Sequence, residues 1–390
     1  MNKKILLVSH ELSLTGAPLV LLRVATILRK KGFLIDLFSY KFGALKSNFE
    51  DLGIQVAEIR DRSRFLIQIS RKQLSSYALI ICNTVMTYKA VDVFQRYNIP
   101  VIWYIHESSI FLEKLIDEKR EVEPILRNFY NIYTVSDYTK KCLSKYNNNC
   151  KVINNCVEDC FCGYSPKNNK IRFGFIGSII KEKGVNSLID AFLRLKECCD
   201  NISLSIAGNY ENEFGLKLKT AISDKKEIKW LGPVKDRAKD EFFSSIDILC
   251  VPSDEESSSL VLFEAASRGL AVIATEKNGA CSIIRNRLDS LVIPSNDCEN
   301  LYNAMLCLVK NPNKVDYMKK AMRENYLSCA TIDIFQQNLL KMVNDNIDNL
   351  PVVSNPLYLE RFKIFQQIRT SSGFRDYYFC EKKFFSIKLK

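Results

Sequence analysis

The chain has 390 residues, with 56 Lys and Arg against 44 Asp and Glu, two histidines and 14 cysteines. That length provides for two or three domains with sizeable cores, and no run of about 18 apolar residues is available to span a membrane. The net charge of +12 is uneven: residues 1–165 carry 23 basic against 16 acidic side chains, residues 166–350 balance at 25 each, and residues 351–390 carry 8 against 3. A neutral middle between basic ends argues against a general nucleic-acid groove, and no nucleic-acid-binding motif accompanies the charge.

In chain order, residues 4–9 read as a first strand, because the apolar core after the opening lysines is too short for an export signal. A helix over 17–32 follows, then strands over 34–39, 77–83, 100–107 and 131–136. The turn-rich stretch 155–170 reads as an interdomain linker. Its Cys156, Cys160 and Cys162 lack further metal ligands nearby, so reduced cytoplasmic thiols and no metal are expected. A second series has strands over 171–178, 202–208, 228–232, 246–251, 271–275 and 290–294, with helices over 184–197 and near 213–223. The alternation predicts an α/β fold of two Rossmann-like domains with parallel sheets facing a cleft. The expected division is 1–165, 166–350 and a basic, aromatic tail over 351–390. There is no G-x-G-x-x-G and no G-x-x-x-x-G-K-[ST], which argues against a dinucleotide dehydrogenase and a P-loop NTPase.

Glu256 and Glu264 stand eight positions apart in EESSSLVLFEAASRGLAVIAT, between the strands 246–251 and 271–275. Pro252-Ser253 ends the first strand, Ser257-Ser258-Ser259 offers helix-starting residues, and Gly269 supplies a C-cap. Such a strand–loop–helix leaves free N–H groups and a positive dipole end in the loop, which suits a phosphate. His10 and His106 both directly follow apolar strands, where parallel sheets open onto their ligand crevice. A capping role for either histidine is the competing account. Asn83-Thr84 and Ser136, also at strand ends, are expected to shape loops.

The segment resembles the E-x7-E motif of retaining GT-B glycosyltransferases of family 4. Pro252, Ser253, Glu256, Leu260, Val261, Glu264, Ala265, Gly269, Val272, Ile273, Ala274 and Thr275 fall in register. Ser257-Ser258-Ser259 replaces the usual Gly-Phe-Gly, and Ala271 the usual proline. The stretch GFIGSIIKEKGVNSLIDAF is similar to a second family segment through Gly177, Lys183, Gly184, Leu188, Ile189, Ala191 and Phe192. Ser178 stands where the family has an arginine, and Ser282 where it usually has a glutamate.

The resemblance implies a retaining, metal-independent transferase of the hexosyl type, using a UDP- or GDP-sugar donor and no cofactor. It places the donor diphosphate at the helix start Ser259-Leu260-Val261, beside Gly16 and Lys183. Glu264 would bind the ribose, the Val234 backbone the nucleobase, and Glu256 and His106 the transferred sugar. No Asp-x-Asp motif is present, so a GT-A metal clamp is not indicated. A nucleotide-sugar epimerase, or a catalytically silent sugar-nucleotide or glycan-binding partner, is the alternative. The implied acceptor is a glycan or lipid-linked glycan, as in bacterial surface polysaccharide assembly. Residues 60–72, with Arg60, Arg64 and Arg71 on one helical face, and the aromatic, basic tail suggest contact with an anionic membrane surface from the cytoplasmic side. Packing of the tail on the first domain is the other expectation.

Overall fold

The computed structural model describes residues 3–59, 74–97, 99–164 and 170–348, and the backbone of three further strands, Arg369–Ser371, Phe374–Phe379 and Lys382–Lys388. Those three strands pair into an antiparallel sheet. The basic segment 60–72 and the remainder of the tail lie outside the described residues, apart from those backbone strands.

The first half forms seven parallel strands: β1 (Lys4–Ser9), β2 (Leu34–Ser39), β3 (Gln55–Glu58), β4 (Leu79–Asn83), β5 (Val101–Ile105), β6 (Ile132–Thr134) and β7 (Cys150–Val152). They are ordered β3-β2-β1-β4-β5-β6-β7. The second half forms six: β8 (Ile171–Ile176), β9 (Ile202–Ala207), β10 (Ile228–Gly232), β11 (Ile248–Val251), β12 (Ala271–Thr275) and β13 (Ser290–Ile293). Their order is β10-β9-β8-β11-β12-β13. The two parallel α/β units match the expected fold class. β4, β5, β11 and β12 are buried along their whole length, as strands covered by helices on both faces must be.

Each of the two parallel sheets has an apolar cluster on both of its faces. The helix Ile332–Asp348 follows the second series in sequence but packs on the first sheet: Phe335, Leu339, Met342 and Val343 join Val20, Val24 and Leu28. It therefore staples the two halves together. No helix among the described residues is long and apolar enough to cross a membrane. In both sheets the strand order reverses beside the first strand, at β1/β4 and at β8/β11. Parallel sheets bind ligands at such switch points, outside the carboxyl ends of the strands.

Candidate active site

A cavity of about 470 Å³ lies between the two switch points, its walls shared by the two halves. From the first half come Gly16 and Ala17 at a helix start, and His106 and Glu107 after β5. From the second come Gly177 and Ser178 after β8, Lys183, Ser253, and Glu256 to Val261 around the next helix start. A neighbouring cavity of about 450 Å³ is lined by Gly177, Gly208, Asn209, Pro233, Val234, Lys239 and Val261.

Two helix N-termini open into the larger cavity. Gly16–Lys30 starts from Thr15 and Leu260–Ser267 from Ser259, and neither has a side-chain cap or an acidic residue in its first turn. Their first N–H groups and positive dipole ends are therefore available to an anion. At its other end the Leu260–Ser267 helix closes as the sequence predicts. Gly269 takes φ +64° and the Leu270 N–H returns to the Ala265 carbonyl at 3.0 Å.

The loop 253–259 is fixed from several sides. The Glu256 N–H donates to the Lys277 carbonyl at 2.9 Å, and the Gly279 N–H to the Glu256 carbonyl at 2.8 Å. Thr275 Oγ1 donates to the Ser253 carbonyl at 2.6 Å. Gly184 has φ +66°, and a Cβ there would stand 2.1 Å from the Pro252 carbonyl oxygen. Only glycine lets the Lys183 turn come so close, and Lys183 Nζ then reaches Glu256 Oε1. Ser253 Oγ donates to the same oxygen at 3.1 Å.

Of the residues singled out by sequence, the larger cavity gathers Gly16, Lys183, His106, Glu256, Ser259, Leu260 and Val261. Val234 lines the neighbouring cavity. Glu264 lines neither described cavity. Its Oε1 accepts from Lys239, which borders the Val234 cavity, and its Oε2 is buried without a partner. His106 is 8% exposed, its ring 4.4 Å from that of Tyr104 between centroids, and its Nε2 is buried without a partner. Burial, with His10 nearby, pulls its pKa down to about 3, so it stays neutral near pH 7. His10 itself shares a hydrogen bond with Thr84 Oγ1 through Nδ1 at 2.9 Å. Thr84 is held at φ 75°, and its carbonyl accepts from Trp103 Nε1 at 2.8 Å.

Three residues went unassigned in the sequence. Glu107 accepts the N–H groups of Val85 and His106 on Oε2 at 2.9 and 3.0 Å. Burial pushes its pKa up to about 7 against the pull of those donors. Asn155, in the linker, lines the larger cavity; its Nδ2 donates to Ser258 Oγ at 3.0 Å, and its Oδ1 is buried without a partner. Glu255 crosses between the halves. It accepts the Ser109 and Ile110 N–H groups at 3.1 and 3.0 Å, the Ser109 hydroxyl, and the Tyr138 hydroxyl at 2.7 Å. Beside it the Ser257 carbonyl accepts from Ser136 Oγ at 2.6 Å and Thr139 Oγ1 at 3.3 Å. Gly279 is required here, since a Cβ would fall 1.7 Å from that carbonyl oxygen and 2.2 Å from Ser136 Oγ. The triple serine thus docks the loop 253–259 onto the first half. Ser282 likewise donates to Asn154 Oδ1 at 3.2 Å. Among the described residues no cluster of side chains has a metal-site arrangement.

The sequence matches the glycosyl transferases group 1 profile over residues 163–325 and the glycosyl-transferase family 4 profile over residues 1–123. It is 29% identical to phosphatidyl-myo-inositol mannosyltransferase of Mycobacterium leprae over 150 residues, 38% of this chain and 37% of that protein. It is 22% identical to D-inositol 3-phosphate glycosyltransferase of Kribbella flavida over 169 residues, 41% of this chain and 40% of that protein. The chain thus spans less than half the length of these two curated relatives. In fold it is similar to HepE of Anabaena, solved in complex with UDP, with a TM-score of 0.76 at 17% identity over 88% of this chain and all of that one. WaaG, a glycosyltransferase involved in lipopolysaccharide biosynthesis, superposes with a TM-score of 0.63 at 13% identity, over 87% of this chain and 99% of that one. With both halves matched by family profiles and the whole architecture shared with these structures, the chain belongs to the GT-B glycosyltransferases of the family 4 type.

Proposed function

We propose that the protein transfers a hexosyl group from a nucleoside-diphosphate sugar to a glycan or lipid-linked glycan, with retention at the anomeric carbon and without a metal ion. The observation that carries this reading is the larger cavity. There two uncapped helix starts and Lys183 converge opposite the unpartnered His106 Nε2. The helix starts and Lys183 offset the charge of the diphosphate, and the Val234 cavity takes the base. Lys183 exchanges its Glu256 partner for phosphate oxygens, releasing Glu256 to hold sugar hydroxyls. Glu264, oriented by Lys239, takes the ribose.

In the transfer, the acceptor oxygen bonds to the anomeric carbon on the face from which the diphosphate departs. The anomeric C–O bond breaks with its electron pair going to the diphosphate, and a diphosphate oxygen takes the acceptor's proton. Charge building on the leaving group is what Lys183 and the two helix starts stabilise. The relative named phosphatidyl-myo-inositol mannosyltransferase supports a lipid-linked acceptor.

The test is a melting-temperature screen with UDP, GDP and their glucose, galactose, mannose and N-acetylglucosamine conjugates, followed by donor hydrolysis. A ligand at 100 times its Kd adds about 2.7 kcal/mol, a clear shift. No shift with any member of the panel overturns the donor site. Binding without hydrolysis or transfer favours the silent-partner reading, which Ser178 and the Ser282–Asn154 contact support.

A further inference from the structure

We propose that Glu107 binds a hydroxyl of the transferred sugar and, with His106 beside it, selects neutral sugars over anionic ones. The inference rests on the donor-site reading above but concerns a residue that this reading does not use. Glu107 follows β5 and lines the same cavity as Lys183, Glu256 and the Ser259 helix start. Its Oε2 is fixed by two backbone N–H groups, from Val85 and His106, which sets the carboxylate plane. Among the described residues no lysine or arginine forms an ion pair with it and no side chain is seen to donate to it, unlike Glu255, Glu256 and Glu264.

A carboxylate oriented by backbone alone, on a cavity wall, is matched to a donor arriving with the ligand. The adjacent His106 Nε2 is buried without a partner, so the wall presents two polar groups at consecutive positions. Neighbouring hydroxyls of a hexose satisfy such a pair. A uronic acid does not, since above pH 7, where Glu107 is ionised, its carboxylate would face both Glu107 and Glu256 in a confined space. Among the described residues that line the cavity, Lys183 is the single cation, already drawn to Glu256 or to phosphate.

The decisive experiment is calorimetric binding at pH 8, where Glu107 is ionised, of UDP, GDP, their glucose and mannose conjugates and UDP-glucuronic acid, to the full chain and to Glu107→Gln. The substituted amide retains an oxygen for the two backbone donors but turns an NH2 group toward the cavity. The expected result is nucleoside-diphosphate affinity within about 2-fold of wild type, and loss of roughly 10-fold or more in hexose-conjugate affinity. UDP-glucuronic acid should bind the wild type more weakly than UDP-glucose, and the gap should narrow in the variant. Equal hexose-conjugate affinity in the two proteins overturns the proposal while leaving the donor site standing. A wild type that binds no nucleoside diphosphate overturns both. If the variant melts too low to assay, the wild-type comparison decides: glucuronic and glucose conjugates bound equally well refute the selection.

Discussion

Strand β11 enters its sheet from Asp247 and leaves it at Pro252, and charge is handled differently at its two ends. At the entry, the Asp247 side chain is 13% exposed and takes Arg172 through both carboxylate oxygens, at 2.8 and 2.9 Å, with Lys319 Nζ at 3.2 Å. The Arg172 N–H adds a fourth donor at 3.1 Å. Burial alone would raise the Asp247 carboxyl, but these donors outweigh it and hold the pKa below the usual range. At the exit, Lys183 and Glu256 make one contact through a mobile-stemmed ammonium, with 28% and 17% of their side chains exposed to the cavity. A forked, multiply bonded and buried cluster is built to stay closed. A single lysine contact on a cavity wall can be exchanged with far less disruption.

The comparison breaks first at the closed end. Asp247→Ala leaves Lys319 buried and Arg172 half-buried without their partner, and removing one member of such a cluster costs about 3–5 kcal/mol. Denaturant unfolding should show that loss, while nucleoside-diphosphate affinity of the folded fraction stays at the wild-type level. A loss below about 1 kcal/mol would place both ends in the same class.

At the open end the order reverses. Lys183→Ala and Glu256→Gln should change stability by less than about 1 kcal/mol, as expected for partly exposed pairs. They should nevertheless cost roughly 10- to 150-fold in function, the equivalent of one charged hydrogen bond of about 1.5–3 kcal/mol. Lys183→Ala should show this in nucleoside-diphosphate affinity, and Glu256→Gln mainly in turnover. Unchanged diphosphate binding by Lys183→Ala means that other groups hold the phosphates, and the exchange argument fails.

The contrast between the two ends also marks what a single sequence can carry. The helix Leu260–Ser267 was legible because its start, its C-cap and both flanking strands lie in one stretch, Ile246 to Thr275. The central strands were legible as unbroken apolar runs. β3 and β7 were not: they are edge strands of four and three residues with several exposed or half-exposed positions. Neither was the return of Ile332–Asp348 to the first sheet, because an apolar helix face does not say which sheet it covers. Glu107 resembled any polar residue after a strand until Val85 was seen donating to it. Glu255 was overlooked beside Glu256, since its partner Ser109 lies 146 residues away.

That last carboxylate gives the smallest expected effect and the sharpest use of pH. Glu255 bridges the halves by meeting the first N–H groups of the helix Ser109–Glu118, where a negative charge also meets the helix dipole. Burial opposes its ionisation, yet the donors Ser109, Ile110 and Tyr138 prevail and hold its pKa below the ordinary glutamate range. A depressed folded-state pKa means that the unfolded chain takes up the proton first as pH falls. The contribution of Glu255 is therefore complete above the unfolded value near 4.3 and is lost as pH drops through the folded one. Glu255→Gln keeps one acceptor and loses the charge, so it should cost about 1 kcal/mol at pH 7. The gap between variant and wild type, followed by denaturant unfolding, should hold constant from pH 8 to about 5 and shrink below that. Asp247 also titrates there, but it is common to both proteins and cancels in the difference. A gap that instead widens toward acid would mean that Glu255 is strained by its burial between the halves, and that Ser136, Thr139 and Asn155 hold them together without it.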